Sequence, residues 1–420
     1  MKTQDELYTL DCSATIYPYI GRKDLNQSFH MEADLDRDVD PERLRSVVRK
    51  LCERVPTMFV CLHKDALGYK LRHLHETDEL VMPQPAVMHL PFAMEDGEPL
   101  IRIFYRGNRV GVEAFHAVSD GSGVITLLKT ILAEYYRSMG EDIPCTDGIL
   151  SPLDPVKETE TEDSFRTHYE KGHKSVSRSG KRAFRYHPNG PFAPWHQTEL
   201  TMPLSAIKAA SKAYGATLTE FLTAVYLQSF YETQDGQKTK KPITLSVPVN
   251  LRKLFGSETL RNFSLYFLAS VPRAKERPTF PEILDHVKKQ FQEGTNKELL
   301  HDMICTNAAQ ASMPVFTYAP RGVKRLILRT GAKLYGECLF TSVLSNLGVV
   351  RMPAQLQKHV KMFRAVLGRT PENHIKMTAY CFGDVFGMMF SSMLASREIE
   401  ENMKRLLAGH NIFATMQAHA

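Results

Sequence analysis

From residue 99 the chain alternates apolar and polar positions with a period of two: PLIRIFY, a turn at Gly107-Asn108, then RVGVEAFHA. That pattern predicts a β-hairpin. On its second strand Val110, Val112, Ala114 and His116 share one face, so His116 is expected to end the strand on its apolar side. The period then turns helical, with Val124, Leu128, Ile131, Leu132 and Tyr135 on one stripe. Ser119 or Asp120 is placed to cap this helix, which closes near Gly140.

The same patterning predicts a helix over 41–54, with Leu44, Val47, Val48 and Leu51 on one face, followed by strands at TMFVCL and YKLRHL. Between about 141 and 200 the composition shifts to charge, Ser, Gly and Pro, as in a linker. Helices are predicted at 204–214 and 218–231, the second opened by a capping box of Thr217 and Glu220. Strands follow at KPITLSVPV and SLYFLASV, a helix at 281–293, strands near 339–350, 360–367 and 375–391, and a last helix at 397–408. Both halves are α/β, with antiparallel or mixed sheets favoured over a doubly wound fold because strands come partly in hairpins. The expected organisation is an N-terminal domain over 1–150, a linker or crossover over 151–200 and a C-terminal domain over 201–420.

A chain of 420 residues exceeds the size at which one core stops growing, which fits two domains. Hydrophobic residues are 43% and charged residues 24%, the balance of a soluble globular protein. Its 53 basic and 47 acidic residues are interspersed, giving a formal charge of +6. This allows a phosphorylated ligand such as a coenzyme but lacks the basic stripe of a nucleic-acid binder. Seven cysteines contain no CxxC pair, so neither a disulfide framework nor a zinc knuckle is expected. No apolar run reaches membrane-spanning length, and the expected location is the cytoplasm.

Among candidate constellations, His116 and Asp120 form an HxxxDG string. An imidazole at the end of a core strand is kept neutral by burial and can accept a proton; a core histidine beside a simple helix cap is the competing account. This pair has no third metal ligand at recognisable spacing, and His73-Leu-His75, which could chelate from a strand, reads as solvated surface near acids, so no metal is expected. Ser205-Ala-Ile-Lys208 matches SxxK, but Ser119-Asp120-Gly121 precedes it where serine acyl-enzymes place SxxK first. No nucleophile elbow, Walker loop or dinucleotide fingerprint occurs. Arg252, the following Arg261-Asn262-Phe263, and Ser345-Asn346 are polar groups at the ends of apolar strands.

In this order, FHAVSDG, PVNLR with its following NF, and SNLG resemble the CoA-dependent acyltransferase superfamily, which includes chloramphenicol acetyltransferase, condensation domains and alcohol acetyltransferases. The alcohol acetyltransferase-like branch is the most similar in pattern. The likeness spans nearly the whole chain. It implies two chloramphenicol acetyltransferase-like domains, each a mixed, mostly antiparallel sheet with helices, with an active-site tunnel between them. It further implies His116 as general base for acyl transfer to a hydroxyl or amine, and Asp120 as a structural carboxylate paired with Arg252. Gly121 would permit the turn into the helix, and Ser345 and Asn346 are candidates for the oxyanion or acceptor. The donor would be acyl-CoA or an acyl carrier protein, used as co-substrate by a monomer with no tightly bound cofactor. A peptide-synthetase-type condensation enzyme and a catalytically silent binding or scaffold module are the alternatives. Phe115 stands where many relatives carry a first histidine, and CFGDVFG (381–387) differs in order from the plant DFGWG motif.

Overall fold

The computed structural model describes residues 6–21, 27–85, 89, 91–176, 180–186, 192–271, 278–370 and 373–419. In chain order the first strands are β1 (Leu7–Thr9), β2 (Ser28–Leu35), β3 (Val60–Lys64), β4 (Tyr69–His73) and β5 (Val81–Pro83). The predicted hairpin is β6 (Ile101–Arg106) and β7 (Arg109–Phe115). The later strands are β8 (Phe192–Pro203), β9 (Thr244–Asn250), β10 (Ser264–Ser270) and β11 (Ser342–Val349). They continue with β12 (Val360–Leu367), β13 (Ile375–Phe382), β14 (Val385–Leu394) and β15 (Thr415–His419). The longer helices are α1 (Pro41–Cys52), α2 (Gly121–Arg137), α3 (Leu204–Ala213), α4 (Leu218–Tyr231), α5 (Phe280–Gly294), α6 (Lys297–Ala311), α7 (Arg321–Tyr335) and α8 (Glu398–Gly409).

Two mixed sheets organise these elements. The first has the order β12-β2-β7-β6-β5, antiparallel except for β5 on β6. Amphipathic α1 lays Leu44, Val47, Val48 and Leu51 into the core that α2 shares with this sheet. The second sheet runs β10-β9-β11-β13-β14-β8-β15, with β11 parallel to both β9 and β13. Helices α4, α5 and α8 cover it through Phe221, Leu222, Ile283 and Met403. A third sheet, β1-β4-β3, is small and antiparallel.

Several features depart from the pattern-based expectation. The apolar stretch 375–391 is a hairpin, β13 and β14, turning at Gly383 with φ +56° and at exposed Asp384. Residues 297–335, given no element from the pattern, form α6 and α7. The third is topological: β12 pairs antiparallel with β2, Ala365 opposite Met31, so a strand late in the chain becomes the edge of the first sheet. The end of the linker-like stretch is strand β8 of the second sheet.

Buried charges tie the two sheets together. Arg364 of β12 reaches Asp34 at 2.6 Å and Glu199 of β8 at 3.0 Å, and Tyr380 of β13 donates to Glu199. Arg109 of β7 holds Asp34 at 2.7 Å from its other side. Burial pushes the Glu199 carboxyl up, but the His419 bond and the Arg364 charge, with Tyr380, outweigh it and hold the group down to about 2. In a dry interior such a network persists only when its members are partnered.

Candidate active site

A cavity of about 1250 Å3 is lined by residues of both sheets, among them Phe29 and Met31 of β2, Val366 of β12, Ser246 of β9 and Thr378 of β13. It exceeds the roughly 300–1,000 Å3 of a pocket for one drug-sized ligand. His116 lines it. The strand ends one residue earlier, at Phe115, and His116 begins the turn, its N–H donating to the Gln27 carbonyl at 2.8 Å. His116 thus follows the strand instead of ending it, but its ring keeps to the expected face, where Phe29 lies opposite Ala114. Val110, Val112 and Ala114 enter the core, whereas the His116 ring stacks on Tyr17 (centroids 4.9 Å, planes at 18°) with Phe29 at 5.0 Å.

Asn262 fixes which ring nitrogen carries the proton. Its amide nitrogen donates to the Asp11 carboxylate and to the His116 carbonyl, each at 3.0 Å. Two acceptors on that end require Oδ1 to face His116 Nδ1, 3.1 Å away, so Nδ1 is the donor. Nε2 is then the unprotonated nitrogen. Burial pushes the imidazole below its ordinary pKa, against the Asp120 charge and the Asn262 bond, which favour the cation. Asp11 and Asn262 are both buried, and burial raises the Asp11 carboxyl to about 6.

Asp120 makes no hydrogen bond to His116 among the described residues; its four go elsewhere. Oδ1 caps α2, accepting from Ser122 N at 3.0 Å and Gly123 N at 3.4 Å. Oδ2 accepts from Arg252 Nη1 at 2.8 Å and from Phe263 N at 2.9 Å. Arg252 opens a short helix just after β9, and its guanidinium also donates to the carbonyls of Thr259, at 2.7 Å, and Arg261. Thus the two residues the sequence pairs are in contact, and the contact ties the start of α2 to the loop before β10.

Of the two candidate caps Asp120 is the one used; Ser119 Oγ instead donates to the Leu260 carbonyl at 2.5 Å. Gly121 does not occupy the left-handed region, so the turn does not demand a glycine there; Leu347 and Met31 crowd it, at 3.1 and 3.3 Å from an added Cβ. Gly123 is the position with no room, since its Cβ would sit 2.1 Å from Ser119 Oγ and 2.2 Å from the Leu260 carbonyl.

Ser345 and Asn346 lie on β11 and line the cavity. Asn346 is committed locally, donating to Thr219 at 2.8 Å and accepting from Gly348 N at 2.9 Å. The β11–β13 register breaks between Asn346 and Val349, with Gly348 at φ +70°, which is why this motif ends in glycine. Ser345 has no hydrogen-bond partner among the described residues and stands beside Thr378 in the parallel pair.

The remaining candidates lie elsewhere. Ser205 and Lys208 are exposed on α3. His73 and His75 sit by Glu53, outside the cavity, with His73 Nε2 3.4 Å from its carboxylate and 3.9 Å from Cys52 Sγ. All seven cysteines are free thiols. No helix among the described residues is long and apolar enough to cross a membrane. Asn262 and Asp11 were not among the residues the sequence marks for the site, although the NF of the resemblance contains Asn262. Asp11, 105 positions before His116, carried no signal.

No protein-family model matches the chain, and no curated protein matches it in sequence. Solved structures do. TRI101 of Fusarium sporotrichioides, complexed with coenzyme A and T-2, superposes with a TM-score of 0.64 at 12% identity, over 98% of this chain and 99% of that one. The trichothecene 15-O-acetyltransferase TRI3 of the same species gives 0.61 at 9% identity, over 96% and 94%. A nonribosomal peptide synthetase, FmoA3, gives 0.60 at 13% identity, matching 97% of this chain but 42% of its own length. At these identities the likeness shows the fold, which is the two-domain α/β fold of the CoA-dependent acyltransferases and condensation enzymes.

Proposed function

We propose that the chain transfers an acyl group from a coenzyme A thioester, or from an acyl carrier protein, to a hydroxyl or amine, with His116 as general base. The observation that carries this is the Asp11–Asn262–His116 chain, which puts the proton on Nδ1 and leaves Nε2 as the free base of a histidine that lines the cavity. A thioester is already activated, so the chemistry needs no enzyme nucleophile.

In the forward step Nε2 takes the proton of the acceptor O–H or N–H as that atom attacks the thioester carbonyl carbon. The tetrahedral oxyanion collapses, the C–S bond breaks, and the imidazolium returns the proton to the departing thiolate. The stack on Tyr17 and the Asn262 bond hold the ring in one orientation through both transfers. Asp120 and Arg252 serve architecture, fixing the turn that carries His116. Ser345, whose hydroxyl has no hydrogen-bond partner among the described residues, serves as the oxyanion donor, whereas Asn346 holds the bulge. Coenzyme A enters as co-substrate, in keeping with its presence in the TRI101 complex.

The test is thiol release from acetyl-CoA and longer acyl-CoAs offered with a panel of alcohols and amines. The wild type should release thiol in an acceptor-dependent manner, and His116→Ala should be slower by about 10² to 10⁴. Equal rates in the two would remove His116 as the base. Binding of coenzyme A without release from any donor would favour a silent binding module.

A further inference from the structure

The cavity contains a charged group that the acyl-transfer step does not use. Lys376, on β13, lines the cavity and is 7% exposed. Its Nζ makes one hydrogen bond, to the Gly368 carbonyl at 3.0 Å, and no carboxylate of the described residues is within ion-pair distance. An ammonium has three protons to donate, so two are unfilled. Burial pushes its pKa down to about 8, against the charge of Glu337, so it remains a cation at neutral pH.

Two hydroxyls in the same wall are also unfilled. Thr378 is two residues along β13, which places it on the same side of the strand as Lys376. Thr370 lies two residues past the glycine whose carbonyl holds Nζ. Both threonines line the cavity, each is 2% exposed, and the Oγ1 of each is buried without a hydrogen-bond partner among the described residues. A buried ammonium lacking an anion and two buried hydroxyls lacking partners are all costly to a fold. An anionic oxygen group entering from the cavity would give the ammonium the partner it lacks, beside the two threonines of the same lining.

We propose that Lys376, Thr370 and Thr378 form a subsite for a carboxylate, so that one of the two reactants is an acid. This deepens the acyl-transfer function and rests on it for the word reactant. The carboxylate has two possible sources, the acceptor, as in a hydroxy or amino acid, or the acyl chain, as in a dicarboxylic half-thioester. A planar carboxylate suits a cation flanked by hydroxyl donors on two sides.

The experiment compares matched pairs on the wild type, Lys376→Met and Thr378→Val. One arm sets hydroxy and amino acids against their methyl esters with acetyl-CoA; the other sets succinyl-CoA against butyryl-CoA with a neutral acceptor. Binding of each acid and its ester is measured by calorimetry alongside thiol release. The wild type should favour the acid over its neutral partner by about 10- to 150-fold in one arm, the range of a charge-assisted hydrogen bond. Lys376→Met should erase that preference, and Thr378→Val should reduce it. The arm in which the preference appears identifies the source. A wild type without preference, a preference that survives Lys376→Met, or an equal loss on acids and esters would overturn the subsite, the last pointing to an oxyanion role. If no pair releases thiol, acyl transfer itself fails, and calorimetry alone then decides the carboxylate subsite.

Discussion

Asp120→Asn tests the architecture of the site most sharply, because its cost can be worked from the contacts. The carboxylate accepts two cap bonds on one oxygen and the Arg252 and Phe263 donors on the other. An amide keeps the cap but turns an NH2 toward two donors, leaving Arg252 with its carbonyl partners and no anion. Both side chains are largely buried, 6% and 12% exposed. Breaking one side of such a pair costs about 3–5 kcal/mol. With an unfolding entropy of about 2.1 cal/mol/K per residue, 420 residues give about 0.9 kcal/mol/K, so Tm should fall by about 3–6 °C if the chain unfolds as one unit. Calorimetry of the variant, with thiol release on the same sample, should show both stability and rate reduced. Adding Arg252→Met should recover part of the lost stability by removing the orphaned cation. An unchanged Tm beside a large loss of rate would refute the architectural role and move Asp120 into the chemistry.

Two further perturbations follow from the buried networks. Asn262→Ala leaves the His116 carbonyl without its side-chain donor and removes one of the donors to Asp11, which keeps the backbone N–H groups of Ala14 and residue 262, so the variant should lose about 1–3 kcal/mol by denaturant melts; kcat should fall as well, while an unaltered kcat would show that the ring needs no such anchor. Glu199 is held below its ordinary 4.5, at about 2, so its contribution to stability is present above 4.5 and lost as pH falls toward 2. Glu199→Gln should flatten the fall of Tm across that window, and an identical acid limb in the variant would contradict the assignment.

Much of this was legible because the signals were local. Asp120 as cap, the Thr217–Glu220 box, and the amphipathic α1 and α5 each depend on residues a few positions apart, and each is present. What the pattern could not carry is non-local or two-sided. Strand β2 was missed although His30, Glu32 and Asp34 alternate with Phe29, Met31 and Ala33; both its faces are buried, and the polar one meets Arg109 and Arg364. The pairing of β12 with β2 joins residues more than 300 positions apart and leaves no trace in periodicity. Lys376 and Thr378 likewise carry no signal in the sequence pattern, since only the fold brings their face of β13 to the cavity. His116 was legible as a chemical group, but its anchor was not, since Asp11 and Asn262 come to it from distant loops.

The central claim is that His116 acts through a neutral Nε2 kept basic but uncharged by its setting, and the pH dependence of kcat/KM tests it most directly. Because burial lowers the imidazole pKa, the rate should fall with the uptake of a single proton on the acid side of 6.5, and that limb should vanish in His116→Ala. A limb centred above 6.5, or one that persists in the variant, would contradict the account.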